Sequence, residues 1–476
     1  MTSHSKSMLN ILFLSQLLLS TTLLGCQPKT PAVNLRIWQT ETDKDAVAVL
    51  DSLKLAFEKS HPGVTIELES VSWSALADKL AQSMQAQNVP DLAHIEPFMA
   101  GSMMSRDALL PIDDVIQDIE AANGPIFGSV RDLQLYNGRH YGIAYAVGVT
   151  GFAYRRDLAD KLHLTEPLTW HDYVQFVKRM SEGSSGSPGL SLLLPGGDPF
   201  FIDQLFAELV ANNGGHLFDA TTNRPLLSSA TTIQALEFLA ALAPYLDRGW
   251  TTQSYLDQFN RLATGQTANV PVTYVRATKA IEKGSREAGS GESIPPDPAH
   301  FALMRQPRGP SLESSQPTIA TIDCEPYVIF KAAESRSAGR YGTNAALCKE
   351  FLRAFYSRDT YLRFCTRVPI HLTPIFERLA ADSSYLKTPL IVRWAPWEAR
   401  CREALQTKAV RPILMPDETS KTLPFLLELQ SSRILANMVA DVLEGTATPA
   451  VAAAKAQHDA EALIDRLGQR KWVSPN

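Results

Sequence analysis

The chain has 476 residues, more than one hydrophobic core usually supports, so at least two lobes are expected. Hydrophobic residues make up 45% and charged residues 20%, which is ordinary for a globular protein and excludes a disordered, collagen-like or coiled-coil chain. The formal net charge of −5 argues against a nucleic-acid-binding surface. Only the N-terminus holds a long apolar run, which excludes a transporter with many membrane spans.

The N-terminal residues have the pattern of a secretory signal. An apolar stretch over 9–24 ends in Leu23-Leu24-Gly25-Cys26. This ending matches the lipobox of bacterial lipoproteins, in which the cysteine thiol takes a diacylglycerol. It predicts a signal peptide over 1–25, a tether over 26–32, and a lipid anchor on Cys26 that holds the exported chain at a membrane, on the periplasmic or cell-surface side. The alternative is an ordinary signal peptide with a chance cysteine.

Apolar periodicity predicts alternating strands and helices in the first part of the exported chain. The predicted elements are strands at 35–38, 64–71 and 92–95 and helices at 46–59 and 73–87. This β-α-β-α-β order favours a mostly parallel sheet with right-handed crossovers. Ligands of such sheets bind beyond the carboxyl ends of the strands. Those ends lie at 38–41, 71–73 and 96–98.

The run from Tyr141 to Tyr154 is strand-like but contains three glycines, a pattern that predicts bends where the chain passes from one lobe to another. A second α/β region follows it. The predicted helices are 170–180, 200–210, 230–246, 256–263, 344–356, 432–443 and 450–467, the predicted strands are 268–274, 301–305 and 319–330, and 284–298 is predicted as an exposed loop.

Five cysteines are present, and lipidation of one would leave an even number in an exported chain. The four others are Cys324, Cys348, Cys365 and Cys401. Export permits a disulfide, whereas buried free thiols are the other common state of cysteine. The spacing of the cysteines leaves both states open and contains no metal-binding pattern.

Seven short segments, in their order along the chain, resemble those of the family 1 extracellular solute-binding proteins, the carbohydrate-binding lipoproteins of ABC importers. Maltose-binding and glycerol-3-phosphate-binding proteins are the best-known relatives. The segments are Leu35-Arg36-Ile37-Trp38 with the following helix to Gly63, Pro90-Asp91-Leu92-Ala93 with Leu109–Ile112, Tyr141–Tyr145 with Tyr154–Asp157, Thr169-Trp170, Asn213–Asp219, Cys348–Leu352 and Glu444–Pro449.

The resemblance implies an α/β protein with the two-lobed periplasmic-binding-protein fold, a ligand cleft between the lobes and a hinge of crossing strands. It places 33–146 and 305–357 in lobe one and 150–300 and 358–476 in lobe two, with hinge crossings at 145–150 and 300–320. Cys365 and Cys401 would then share lobe two and be the likelier disulfide pair. The implied function is to capture a carbohydrate or a sugar derivative and deliver it to a membrane permease, with no cofactor, metal or catalysis.

Sugars stack their C–H faces on aromatic rings and pair their hydroxyls with polar groups, which directs attention to both residue types at the cleft. The predicted ligand residues are Trp38, Tyr274 and Tyr145 among the aromatics, Glu41, Glu96, Asp323 and Glu325 among the acids, and Arg276 and Arg367 among the bases. Three alternatives stay open. Trp38 could belong to the core, Glu41 could cap a helix, and Phe200 and Phe201 fit either the family's aromatic loop or an apolar helix start.

The segment Asp323-Cys324-Glu325-Pro326 departs from the family, which usually has a bare glycine turn there, and this departure argues against a simple neutral disaccharide. If Arg276 and Arg367 pair with these acids, the site reads neutral sugars through charged hydrogen bonds. If the arginines face the ligand alone, the ligand is anionic. Two other functions remain as rivals: a lipid-anchored glycosidase or lyase, whose carboxylate pair has no local signature, and a ligand sensor on the same fold.

Overall fold

The computed structural model describes most of the exported chain. The described residues are 33–183, 192–219, 221–274, 277–287, 297–407, 409–412, 423 and 425–469. The predicted signal peptide, the tether with Cys26 and the predicted ligand residue Arg276 lie outside them. Within the described part, two five-stranded sheets and a short hairpin are surrounded by helices.

The elements follow the predicted order closely. The strands are β1 (Val33–Gln39), β2 (Val64–Ser70), β3 (Leu92–His94), β4 (Leu135–Tyr136), β5 (Arg139–His140), β6 (Gly142–Ala144), β7 (Gly148–Arg155), β8 (Asn269–Tyr274), β9 (Phe301–Met304), β10 (Ala320–Asp323), β11 (Pro326–Ile329) and β12 (Val410–Pro412). The helices are α1 (Lys44–Ser60), α2 (Trp73–Gln85), α3 (Pro97–Ser105), α4 (Asp113–Asn123), α5 (Gly128–Arg131), α6 (Arg156–Lys161), α7 (Trp170–Gly183), α8 (Pro199–Asn212), α9 (Ala230–Leu242), α10 (Tyr255–Ala263), α11 (Ala277–Glu287), α12 (Ala332–Ser335), α13 (Asn344–Phe355), α14 (Arg358–Cys365), α15 (Glu377–Ala380), α16 (Ser383–Leu386), α17 (Pro389–Arg393), α18 (Ala395–Gln406), α19 (Leu426–Ser431), α20 (Ile434–Leu443) and α21 (Pro449–Gln469). Short 3₁₀ turns lie at Ala243–Tyr245, Trp250–Thr252, Pro298–His300 and Gly339–Tyr341.

The first sheet has the strand order β2-β1-β3-β11-β6. Strand β1 pairs in parallel with β2 and β3, which confirms the predicted β-α-β-α-β unit. The predicted stripe of α1 is buried at Val49, Leu50, Leu53 and Phe57, and the Asp43 side chain caps the first turn of this helix. The carboxyl ends of β1, β2 and β3 therefore meet at one edge of the sheet.

The second sheet has the order β12-β10-β7-β8, with β9 added beside β7. It is mixed, because β7 is antiparallel to β8, β9 and β10, whereas β10 and β12 are parallel. Helices α8, α9, α20 and α21 pack against one another beside it. The predicted loop at 284–298 is wrong at its start, since α11 continues to Glu287.

Two predicted strands are each divided between the two sheets. The run 141–154 forms β6 in the first sheet and β7 in the second, and the run 319–330 forms β10 in the second sheet and β11 in the first. The chain crosses between the sheets at 145–147, as predicted, and at 324–325. The second hinge was predicted at 300–320, which is wrong because β10 pairs with β7 and β12.

Two predicted lobe boundaries are corrected by these contacts. Residue 305 does not begin the returning segment of lobe one, because β10 still belongs to the second sheet. Residue 358 does not begin a lobe-two segment, because α14 packs against α1 and Arg378 donates to the carbonyl of Ala122 at 2.8 Å. The chain rejoins the second lobe at Arg393, whose guanidinium contacts Glu282 of α11 at 3.0 Å.

The four described cysteines are all buried free thiols, so the predicted Cys365–Cys401 disulfide is not formed. The cause is the misplaced boundary: Cys365 ends α14 in the first lobe, whereas Cys401 on α18 faces a cavity beside Leu303 of the second sheet. Burial raises the pKa of both thiols, which keeps them protonated and unreactive.

Among the helices of the described residues, none combines the length and the apolar character that crossing a membrane requires.

Candidate ligand-binding cleft

A pocket lies where the chain crosses between the two sheets, and both lobes line it. Its described lining residues are Trp73, Glu96 and Tyr145 of the first lobe, Phe200, Phe201 and Tyr255 of the second, and Asp323, Glu325 and His371 at the crossing. The free volume is about 20 Å³, enough for a water molecule but not for a sugar ring. A sugar therefore fits between these residues only if the groups from the two lobes move apart.

Glu96 reaches this pocket from the junction between strand β3 and helix α3. Strand β3 ends at His94, and Glu96 is the N-cap residue of α3, followed by Pro97 at the first helical position. Its carboxylate does not cap the helix, although an acceptor there would satisfy the helix N–H groups. The side chain instead lines the pocket, where only 3% of the residue is exposed and Oε2 has no hydrogen-bond partner among the described residues.

Asp323 and Glu325 flank the second crossing and both line the pocket. Cys324 between them is fully buried, and residues two apart in an extended segment point to the same side, which brings both carboxyl groups into the cleft. Burial, followed by the charge of Asp323 and a hydrogen bond to it, raises the pKa of Glu325 well above its usual range. Burial and then the charge of Asp323 likewise raise the pKa of Glu96.

Aromatic rings form the rest of the pocket. The Phe201 and Tyr255 rings lie 4.6 Å apart between centroids, and Phe200 stacks at 6.1 Å on Phe98 of the first lobe. On the other wall, the Tyr145 ring lies 3.9 Å from His94. Burial lowers the pKa of His94 to about 3, so this ring is neutral. The pocket thus combines ring faces with carboxyl groups, the two surfaces that a polyhydroxylated ring needs.

Gly148, at the first crossing, lies close to two residues that line the pocket. A Cβ atom there would lie 3.2 Å from Nδ1 of His371 and 3.3 Å from Cβ of Asp323. A larger residue would push both cleft side chains out of place, so the glycine lets the crossing backbone approach them.

Ion pairs hold the lobes together beside the pocket. Lys279 on α11 contacts Asp43 at 2.5 Å and Asp45 at 3.3 Å, just before and within the first turn of α1. Arg106, which follows α3, contacts Glu428 on α19 at 2.5 Å. Both pairs join elements that are far apart in the chain, and the Lys279 pair connects α11 of the second lobe with α1 of the first.

This two-lobed arrangement matches a known family. The model of the bacterial extracellular solute-binding proteins matches residues 39–324, which is more than half of the chain. The chain belongs to this family. The match ends at the second crossing, within the acidic segment of the cleft.

Individual relatives of this solute-binding protein are distant. The ABC transporter periplasmic-binding protein YcjN of Escherichia coli (strain K12) is 22% identical over 50% of this chain and 54% of its own length. An ABC transporter extracellular-binding protein of Pyrococcus horikoshii is 24% identical over 40% of this chain and 46% of its own length. The chain thus spans about half the length of the curated relatives it matches.

Solved structures share the fold over most of the chain. A maltose-bound T. maritima protein, MalE3, superposes with a TM-score of 0.71 at 17% identity, covering 91% of this chain and 100% of its own. A chitin oligosaccharide binding protein gives 0.71 at 18% identity, with 91% and 99% covered. The predicted two-lobed fold is confirmed by these superpositions.

Four of the predicted ligand residues lie together in the cleft of this solute-binding protein: Glu96, Tyr145, Asp323 and Glu325. Tyr274 pairs through its backbone with Thr150 of β7, next to the first crossing. Its side chain and the whole of Arg276 lie outside the described features. A ligand contact by any of these residues stays a prediction.

Three other predicted residues are not part of the described lining of this pocket, and a ligand contact by them also stays a prediction. Trp38 is buried, with its ring 4.7 Å from Nζ of Lys79, and it lines a separate pocket beside α2. Glu41 accepts hydrogen bonds from the backbone N–H groups of Thr42 and Asp43 at 2.8 and 2.7 Å, in the turn that leads into α1. Arg367 is exposed, and its described contacts are those of its backbone.

Five lining residues were absent from the predicted set, and two of them, Phe200 and Phe201, had been left open between the family's aromatic loop and an apolar helix start. Trp73 had a signal, because it directly follows the carboxyl end of β2 at 71–73, one of the strand ends named from the sequence. Tyr255 and His371 had none. They reach the pocket from the start of α10 and from the segment after α14, which no local pattern connects to the crossing strands.

Proposed function

We propose that this solute-binding protein captures a carbohydrate or a sugar derivative between its lobes and delivers it to the permease of an ABC importer. The observation that carries the proposal is the composition of the cleft, where aromatic rings from both lobes surround three carboxyl groups. A site that pairs buried polar groups with ligand hydroxyls rejects molecules without them. Of the superposed structures, one is a maltose-bound protein and another a chitin oligosaccharide binding protein, which supports the same class here.

The proposed ligand contacts are Glu96, Tyr145, Asp323 and Glu325, together with Trp73, Phe200, Tyr255 and the predicted Tyr274 and Arg276. The proposed lobes follow the corrected crossings. Lobe one comprises about 33–146 and 325–386, and lobe two comprises most of 147–323 and of the chain from about residue 389.

The direct test is a thermal-shift screen of the exported chain with mono-, di- and trisaccharides, sugar alcohols and phosphosugars, followed by calorimetry of each hit. A binding protein returns its ligand unchanged, so each hit is incubated with the protein and analysed for hydrolysis. A rise in melting temperature without turnover supports the proposal. Turnover of an oligosaccharide, or the absence of any shift across the screen, contradicts it.

We also propose that Cys26 carries the lipid that holds the exported chain at the membrane. The support is the Leu23-Leu24-Gly25-Cys26 sequence at the end of the apolar stretch. Replacing Cys26 by Ser should release the protein from the membrane fraction into the soluble one. Unchanged membrane association of Cys26→Ser would contradict the anchor and leave the ligand proposal untouched.

A further inference from the structure

The cleft is acidic in a way that a neutral sugar does not require. Glu96, Asp323 and Glu325 all line it and are 3%, 6% and 5% exposed. Among the described lining residues there is no lysine and no arginine, and His371 is the one basic side chain. Three carboxyl groups in one enclosed pocket repel one another when they are charged, and each loses its hydration when the lobes close.

Glu96 provides a second and independent indication of the ligand. Its Oε2 is buried without a hydrogen-bond partner among the described residues, and the side chain turns away from the helix N-terminus that it could cap. The ionised form of Glu96 only accepts hydrogen bonds, so a donor is the partner that stabilises its charge against burial. Because a buried and unpaired carboxylate is costly, the donor that fits best also carries positive charge.

Two other sources of positive charge fit the described residues poorly. No group of three or more His, Cys, Asp or Glu side chains among them is arranged to hold a metal ion. Arg367, one of the two arginines predicted to neutralise the acids, is exposed and has no described contact with them. Apart from His371, the described lining supplies no cation, so a ligand that carries positive charge would complete the site.

We propose that the cleft binds a carbohydrate that carries a protonated amine, an amino sugar or an oligosaccharide containing one. The ammonium group donates to Glu96 and to the Asp323–Glu325 pair, and the surrounding rings of Trp73, Tyr145 and Phe200 contact the sugar face. This inference rests on the proposed function and specifies its ligand. It excludes the anionic ligand that a site led by arginines would select.

The test uses three matched series of sugars that differ only at one carbon. Glucosamine and its β-1,4 dimer and trimer carry the amine, their N-acetylated forms carry a neutral amide, and glucose, cellobiose and cellotriose carry a hydroxyl. A second set with α-1,4 linkages guards against the wrong linkage. Calorimetry on the exported chain at pH 7 should show the best amine binding about tenfold or more tighter than its N-acetylated and hydroxyl counterparts.

Variants locate the preference in the acids. Glu96→Gln, which keeps the shape and removes the charge, should reduce the amine preference to about threefold or less. Glu325→Gln should act in the same direction. Glu334→Gln is the matched control, because Glu334 is an exposed residue of α12 outside the cleft lining, and it should leave the preference unchanged.

Each result decides one of the two proposals. A neutral or N-acetylated sugar that binds as tightly as its amine counterpart overturns the inference and leaves carbohydrate binding in place. An amine preference that appears only in Arg276→Gln also overturns it, because Arg276 would then neutralise the acids in the native protein. If no sugar of any series binds, both proposals fail together.

Discussion

Two buried carboxylates lie at opposite ends of strand β3 and have opposite surroundings. Asp91 precedes the strand, is fully buried, and accepts from Arg336 at 2.6 Å, from the backbone N–H of Arg36 at 2.8 Å and from Asn344 at 3.1 Å. Glu96 follows the same strand, is nearly as buried, and has an oxygen without a partner in the described structure.

This difference separates a carboxylate that holds the fold from one that is held ready for a ligand. Asp91 joins β1, the segment before α13 and the first residue of α13 through a cation and two further donors, which compensates its burial. Glu96 lies at the carboxyl end of the strand, the edge where open α/β sheets bind ligands. The unfavourable burial of its carboxylate is compensated only when a hydrogen-bond donor enters the cleft.

Neutralising each acid in turn tests whether Asp91 and Glu96 differ in their contribution to stability. Asp91→Asn leaves the Arg336 guanidinium with a neutral partner, and we expect a loss of about 2–4 kcal/mol in the free energy of unfolding. The value is below that of a fully buried pair because the Arg336 side chain is 27% exposed. Urea unfolding measures it. Glu96→Gln should cost nothing or stabilise, so equal losses in the two variants would contradict the distinction.

Glu208 on α8 is an intermediate case that pH can probe. Its Oε2 accepts from Thr150 at 3.0 Å and Thr321 at 2.5 Å, on the strands β7 and β10 that lead into the crossings. Burial, only partly opposed by these hydroxyl groups, raises the pKa of Glu208 to about 7. The folded state thus holds this proton more tightly than the unfolded state does.

The sign of the pH dependence follows from that difference. The stabilisation from protonated Glu208 is fully present below the unfolded pKa of about 4.5 and is lost as pH rises to about 7. Glu208→Gln removes the titration, so the variant should gain up to about 3 kcal/mol on the wild type between these values. Urea unfolding at several pH values measures this difference. A difference that is constant with pH would contradict the buried acid.

Sequence periodicity was sufficient for most helices and strands, and the resemblance together with the strand ends directed attention to four of the residues that line the pocket. The stripe of α1 and the alternation of β2 predicted the first sheet, whereas the acids at 323 and 325 were singled out because they replace the glycine turn that the resemblance leads one to expect. The division of 319–330 between two sheets was not visible, because an apolar strand reads the same in either sheet. His371 is brought to the cleft by long-range packing, which no local pattern records.

Trp38 and Trp73 differ in the same way, since one ring packs in the fold and the other lines the pocket. Trp38 shares its side of β1 with Arg36, and alternation along the strand could have placed it there, facing Lys79 rather than the cleft. Trp73 lies at the cleft. Trp73→Ala should weaken binding of the ligand by about tenfold to a hundredfold, since stacking contributes about 1–3 kcal/mol.

Trp38→Ala, by contrast, should change the affinity by less than about twofold while lowering the stability, because the ring is buried against α2. Calorimetry and thermal unfolding of both variants separate the two effects. A large affinity loss in Trp38→Ala with normal affinity in Trp73→Ala would restore the sequence-based assignment and refute the one made from the cleft.

The smallest expected effect concerns the contacts that close the lobes. Lys279 is partly exposed, so its pairs with Asp43 and Asp45 contribute about 0–1 kcal/mol each. They form only when the lobes meet, so Lys279→Ala should shift the ligand-free protein toward an open form, with a larger radius of gyration by small-angle scattering. Saturating ligand should restore the compact value, because ligand contacts outweigh one ion pair.

Lys331→Ala is the control, since Lys331 pairs with Asp107 inside the first lobe and its loss should leave the radius unchanged. If Lys279→Ala and Lys331→Ala gave the same radius with and without ligand, the Lys279 pair would hold no closed state, and closure would depend on the ring and carboxyl contacts of the cleft alone.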